Sequence, residues 1–278
     1  MTSSASFYES AAVALTSLRS SKLRSFLTLL GIILATTTLI AVMSVINGMD
    51  QYIARQVSDM GADGFRVRRI IMIGSFDAKK FLEMQRKNPE MSREEYQFVK
   101  ANATLVREFG MESFRRVNVK YANRTLEFMQ CIGATANLNI VSNIQTASGR
   151  FLSPMDDAGN MAVTFIGNDI KEEFFPNVDA VGKTISVDGR PFEVIGVAKT
   201  LGSVFGQSRD SFVMIPIGTY FKMFGARSNI GYNALALDQG RLYEAQDEIR
   251  TLLRSYRHLR PNQEDTFGMA GSESFFFF

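Results

Sequence analysis

FLTLLGIILATTTLIAVMSVI, residues 26–46, decides how the rest of the chain is read. The run holds no charged side chain, no proline and no side-chain amide. At about 1.5 Å per residue, roughly 20 such residues cross a hydrocarbon core of about 30 Å. A helix is the form that satisfies every backbone group there. The run therefore predicts a transmembrane helix. Arg19, Lys22 and Arg24 crowd its N-terminal flank, whereas Asp50, Arg55 and Asp59 on the far side are of mixed sign. That asymmetry predicts residues 1–25 in the cytoplasm and the long C-terminal part outside. A cleaved signal peptide would have an apolar region of about 7–15 residues and then a small-residue cleavage site. Here the apolar run is longer, and AVMS at 41–44 is followed by more apolar residues. The length and the basic flank also argue against a core helix of a water-soluble protein.

Upstream, Phe7, Ala11, Ala14, Leu15 and Leu18 recur at helical spacing. Next to a basic cluster this fits a helix lying on the inner membrane surface, or equally a lead-in to the anchor. Inside the span, Gly31 and Ala35 stand four apart, a small pair that would let a second helix approach closely. Thr36, Thr37 and Thr38 can return their hydroxyls to the backbone one turn back. Downstream, Ile46, Met49, Ile53, Val57 and Met60 keep a three-and-four spacing up to Gly61, a C-cap residue. The anchor is expected to continue as a stalk of about four turns. A core helix that merely follows the anchor is the alternative.

The remainder alternates between strand and helix signals. Residues 65–73 (FRVRRIIMI) are strand-like, and residues 74–89 are polar and loop-like. Ser92-Arg93-Glu94-Glu95 reads as a capping box opening a helix, with Tyr96, Val99 and Leu105 or Val106 inward. Residues 114–121 and 125–133 flank Ala122-Asn123-Arg124 as a hairpin. Residues 162–167 form a short buried strand, and Asn168 is placed to cap the helix that follows. Asp188-Gly189 is a strong type I′ signal between residues 182–187 and 191–199. Strands are expected at 212–215 and 233–237, a short helix after Pro216, and an amphipathic helix over 241–257 with Leu242, Ala245, Ile249 and Leu252 or Leu253 on one face.

Composition removes several function classes. The 278 residues are 46% hydrophobic with a net charge of +3, and no Lys/Arg-rich run dominates, so no nucleic-acid partner is indicated. Cys131 is the single cysteine, which leaves no internal disulfide and no cysteine metal cluster. An outside domain without disulfides fits a bacterial envelope. His258 is the single histidine and sits at a charged helix end. The acidic pairs Asp156-Asp157 and Glu172-Glu173 read as solvated. No catalytic, cofactor or metal set converges. Residues 177–184 (NVDAVGKT) come nearest to a phosphate loop, but Asn177 stands where glycine is needed and a strand follows in place of a helix.

Residues 148–199, which contain SGRFLSPMDD and then MAVTFIGNDIKEEFFPNVDAVGKTISVDGRPFEVIGVAK, resemble the periplasmic core domain of MacB-type ABC transporter permeases, within the FtsX-like superfamily. SLRSSKLRSFLTLLGIILATTTLIAVMSVINGM resembles that family's first transmembrane helix, and LRSYRHLRPNQEDTF, residues 253–267, resembles the end of the domain. The resemblance implies an α+β fold: one transmembrane helix with a stalk, then a two-lobed mixed extracytoplasmic domain with a β-rich inserted lobe. It implies residues 26–46 in the membrane and residues 47–278 as the outer domain. Residues 47–113 and 226–270 would make the membrane-proximal lobe, and 114–225 the β-rich lobe. It also implies work as a dimer or paired permease in the bacterial inner membrane, with a cytoplasmic ABC ATPase on a separate chain or domain, in some systems a periplasmic adaptor, and lipid around the span. Such permeases pass ATP-driven motion through the membrane as a lever. The sequence departs from the family pattern in having no second, third or fourth apolar run and no ATPase. It is expected to be the front part of a longer permease or a truncated product. A single-span ectodomain that binds an envelope partner without transport is the rival reading.

Overall fold

The computed structural model describes residues 13, 16, 22–59, 63–72, 77–204, 207–225 and 229–271. The chain divides into two compact units, Met1–Gln56 and Val57–Phe278. In the first, the expected anchor is present. Helix α1, Lys22–Asp59, runs for 38 residues. Its Lys22–Gly48 portion, 27 residues, is long and apolar enough to cross a membrane. Every side chain from 26 to 48 is exposed. Thr36 and Thr38 donate to the carbonyls of Ile32 and Leu34 at 2.8 and 2.7 Å, so their hydroxyls are satisfied inside the helix. Most of the helix expected over residues 7–20, and the Met60 and Gly61 stop, lie outside the described residues.

The second unit is built on one ten-stranded sheet with order β12-β1-β11-β2-β3-β10-β5-β7-β4 and β6 joined to both β2 and β7. In chain order the strands are β1 Gly64–Arg68, β2 Val106–Tyr121, β3 Arg124–Ala134, β4 Thr146–Gly149, β5 Val163–Ile166, β6 Thr184–Val187 and β7 Arg190–Ala198. A two-strand ribbon follows, β8 Ser203–Val204 with β9 Gln207–Ser208, and then β10 Phe212–Pro216, β11 Ile230–Ala236 and β12 Gly268–Gly271. The helices are α2 Ala78–Lys87, α3 Arg93–Asn102, α4 Leu138–Val141, α5 Pro154–Ala158, α6 Asn168–Phe174, α7 Ile217–Phe224 and α8 Leu242–Tyr256.

Two regions of this sheet carry cores on different partners. On β1, β11 and the first half of β2, alternate residues Phe65, Val67, Phe109, Met111, Tyr232 and Ala234 face α3 and α8. Helix α8 meets them with Leu242, Ala245, Ile249 and Leu253, the three-and-four stripe read from the sequence. Further along, the pairings β2–β3, β3–β10, β10–β5, β5–β7, β7–β6 and β6–β2 return to their start, so six strands close a ring. Val117, Val119, Cys131, Val194 and Val213 belong to the core there, with Ile170 and Tyr220 from α6 and α7. Strand β2, 16 residues long, belongs to both regions. Strands β1 and β12 pair antiparallel, Phe65 opposite Gly271 and Arg68 opposite Gly268. The residue on which the chain enters the sheet therefore lies beside the one on which it leaves.

Local turn chemistry follows the residues. Asp188 and Gly189 both take positive φ, 50° and 81°, as a type I′ turn between β6 and β7 requires. Other expectations need correction. Residues 78–87 form α2 rather than loop, capped by the Asp77 carboxylate on the amides of Lys79 and Lys80. Helix α2 carries Ala78, Phe81 and Leu82 at helical spacing, but half of its ten residues are charged and none is buried, so the short apolar set reads as part of a polar loop. Strand β2 begins at Val106, eight residues before the expected start. Asn168 is the first residue of α6, with Gly167 at the cap and no side-chain capping bond.

Candidate functional site

The residues that chemistry might recruit are dispersed. Cys131 is fully buried in β3, and burial pushes its thiol up to about 12, so it is a packed side chain rather than a nucleophile. His258 is exposed beyond α8, with φ at 53°. Asp156 belongs to a completed capping box with Ser153 and takes two bonds from Arg150, at 2.6 and 3.0 Å. Asp157 accepts from the Gly218 amide at 2.7 Å. Glu172 and Glu173 are exposed on α6. Residues 177–184 lead into β6, not into a helix. Among the described residues no group of three His, Cys, Asp or Glu side chains could hold a metal ion.

Two polar clusters are built into the first core region, on opposite faces of the sheet. On the helix-covered face, Ser92 caps α3 by accepting from the Glu95 amide at 3.1 Å. The reciprocal half of the expected box is not made. Glu95, 2% exposed, turns instead to Arg257, which donates from Nε at 2.5 Å and from its second terminal nitrogen at 3.0 Å. Tyr232 lies 2.9 Å from the same carboxylate and accepts from the Ser92 amide at 3.1 Å. Burial, then the Glu95 charge, drive the Tyr232 phenol far above its ordinary range, so it stays a neutral hydroxyl. Arg257 also donates to the Thr266 carbonyl at 2.7 Å and lies 5.4 Å from the Phe267 ring centre. The clamp thus ties the start of α3, the end of α8 and the approach to β12 to one strand.

On the other face, strand alternation sends Arg66 and Arg68 away from Phe65 and Val67. Arg68 donates to the Tyr232 carbonyl at 2.9 Å, to Asn233 Oδ1 at 2.9 Å and to Glu112. Burial lowers the Arg68 pKa, and Glu112 opposes that shift. Asn233 is 3% exposed, and its Nδ2 has no hydrogen-bond partner. A buried donor left unmatched costs roughly 1–3 kcal/mol. Arg66 stands directly opposite Asn233 in the β1–β11 register. Both line a groove of about 290 Å³, where Ile132, Leu138, Leu201 and Met214 share the lining with Gln130, Ser142, Ser208 and Arg209. Sequence reading missed both clusters. Their members are as much as 165 residues apart, and the local signals, S-x-x-E and an alternating strand, do not name a distant partner.

The candidate helix-contact pair, Gly31 and Ala35, lies on α1 with both residues exposed. A Cβ added at Gly31 would meet nothing within 4 Å.

A long, exposed apolar helix followed by a mixed α/β sheet domain defines the class: a domain preceded by a helix apolar enough to cross a membrane. Comparison with known proteins gives the family. Residues 25–252 match the model described as the MacB-like periplasmic core domain. The chain belongs to that family. It is 28% identical over 248 residues to the macrolide export ATP-binding/permease protein MacB of Azoarcus sp. (strain BH72), covering 88% of this chain and 36% of that protein. It is 23% identical over 238 residues to the pyoverdine export ATP-binding/permease protein PvdT of Pseudomonas fluorescens, covering 84% of this chain and 34% of that one. The chain therefore spans little more than a third of the length of these relatives. Among solved structures, the periplasmic region of MacB from Actinobacillus actinomycetemcomitans superposes with a TM-score of 0.64 at 16% identity, over 81% of this chain and 95% of that one. The extracellular domain of the noncanonic ABC-type transporter YknZ from Gram-positive bacteria gives 0.58 at 16% identity, over 75% and 100%. Both structural matches concern the fold.

Proposed function

We propose that the chain is the N-terminal part of an ABC permease subunit that carries ATP-driven motion across the inner membrane to its extracytoplasmic domain, in an efflux or envelope-export system. The observation behind this reading is the unbroken helix Lys22–Asp59. At about 1.5 Å per residue it is about 57 Å long, against a hydrocarbon core of about 30 Å. It keeps helical geometry for 11 residues past the span that ends at Gly48. A helix transmits displacement along its axis, whereas a flexible linker absorbs it. On this reading ATP hydrolysis belongs to a cytoplasmic partner subunit or domain, and the working unit is a dimer or paired permease. An adaptor on the outer side and lipid around residues 26–46 complete the set of partners. The family membership and the export names of the relatives support the transport half of the reading.

Topology is the first test. Ser20→Cys and Glu172→Cys variants, treated with a membrane-impermeant maleimide, give little background because Cys131 is buried. Labelling of Glu172→Cys on intact spheroplasts, and of Ser20→Cys only after permeabilisation, is the expected result. The reverse pattern would end the proposal.

A further inference from the structure

We propose that the groove lined by Arg66 of β1, Asn233 of β11 and the apolar side chains Ile132, Leu138 and Met214 is a binding site for a small carboxylate that carries an apolar tail. The site stands apart from the lever reading and can fail without it. Its polar end is a fixed donor set. Asn233 Oδ1 is held by Arg68 at 2.9 Å, and Arg68 is itself tied to Glu112 and to the Tyr232 carbonyl. The amide is therefore oriented, and Nδ2 is the atom left over, buried and without an acceptor. An acceptor oxygen is the complement of that atom. Arg66 faces Asn233 across the register and makes no ion pair among the described residues. The Glu112 charge is already spent on Arg68. The polar end therefore offers the Asn233 amide donor and the Arg66 guanidinium, with the Arg209 side chain on the same lining, donors that favour an anion over a cation.

The rest of the groove sets the remainder of the ligand. Ile132, Leu138, Leu201, Phe212 and Met214 supply the apolar part of the lining. A volume of about 290 Å³ lies at the floor of the range, about 300–1,000 Å³, in which small-molecule pockets fall. That size suits a medium-chain acyl carboxylate or the last residues of an apolar peptide, both of which present the same carboxylate on an apolar stem.

The test uses the full chain in lipid nanodiscs with methyl-labelled methionine, because Met214 lines the groove and reports filling directly. Octanoate and N-acetyl-leucyl-leucine are titrated with their free concentrations fixed by dialysis, and octylamine serves as the opposite charge. A saturable shift of the Met214 methyl with either acid, and none with octylamine, is expected. Octanoate alone would identify an acyl source, the peptide alone a chain terminus. Asn233→Asp keeps the acceptor that Arg68 needs and removes the donor, and is expected to weaken binding at least tenfold. Arg66→Gln, at a half-buried position, is expected to weaken it about tenfold with the other methionine signals unmoved. No saturable shift with either acid, an equal response to octylamine, or unchanged affinity in both variants would overturn the proposal.

Discussion

Replacing Arg257 with methionine would leave the Glu95 carboxylate in the first core with Tyr232 as its remaining side-chain partner. The side chains of this pair are 7% and 3% exposed. Breaking one side of a buried pair costs about 3–5 kcal/mol, because the other charge is left uncompensated. Arg257→Met is expected to lower stability by that amount in urea unfolding, and the Glu95→Gln/Arg257→Met double variant to recover a large part of it. Asp156 gives a pH signature of a different kind. The Arg150 guanidinium, helped by Ser153, holds its carboxyl down to about 2 from an ordinary 3.8. A depressed carboxylate adds stability above its unfolded pKa and loses it as pH falls through the folded one. Arg150→Gln is therefore expected to cost about 1–2 kcal/mol at pH 7, limited by the half-exposed Arg150, with the deficit shrinking between about pH 4 and pH 2. At this scale the sequence was informative where the chemistry is local. Ser153 and Asp188-Gly189 act on neighbours in the chain. Glu95 and Asn233 do not, and nothing adjacent to either announces the partner 162 or 165 residues away.

Among the elements, α1 was the most legible, because 21 consecutive residues without charge, proline or amide favour one continuous helix. The stripe on α8 and the I′ turn between β6 and β7 were legible for the same reason: periodicity and turn chemistry are properties of consecutive residues. Helix α2 was not, since its apolar set, Ala78, Phe81 and Leu82, is short and sits among five charged residues in ten. Strand β2 was read short because its first half is intermediate or exposed at alternate positions and then buried at three in a row, 109–111. The Gly31 and Ala35 pair also belongs at this scale. Because a side chain at Gly31 meets open space, Gly31→Ile is expected to leave the folded chain's unfolding midpoint within about 0.5 kcal/mol of the parent. We propose that the same change weakens helix–helix contact in the membrane several-fold, measured by disulfide crosslinking of cysteines placed at Leu34. Unchanged crosslinking would remove that role from the pair.

For the whole molecule, the fold class was legible through the resemblance of residues 148–199 and of the anchor to one family, and the family comparison bears it out. The closing of six strands into a ring was not, because it depends on β6 reaching both β7, its hairpin partner, and β2, more than 60 residues earlier in the chain. Nor does hydrophobic alternation say that β3 and β10 run parallel. The neighbouring positions of β1 and β12 have a mechanical consequence. A tension applied between Gly64 and Gly271 falls on the same end of an antiparallel pair, so it opens the ladder rung by rung and never loads all its hydrogen bonds in shear. The domain would therefore yield at this seam under modest force, with both buried regions behind it still intact.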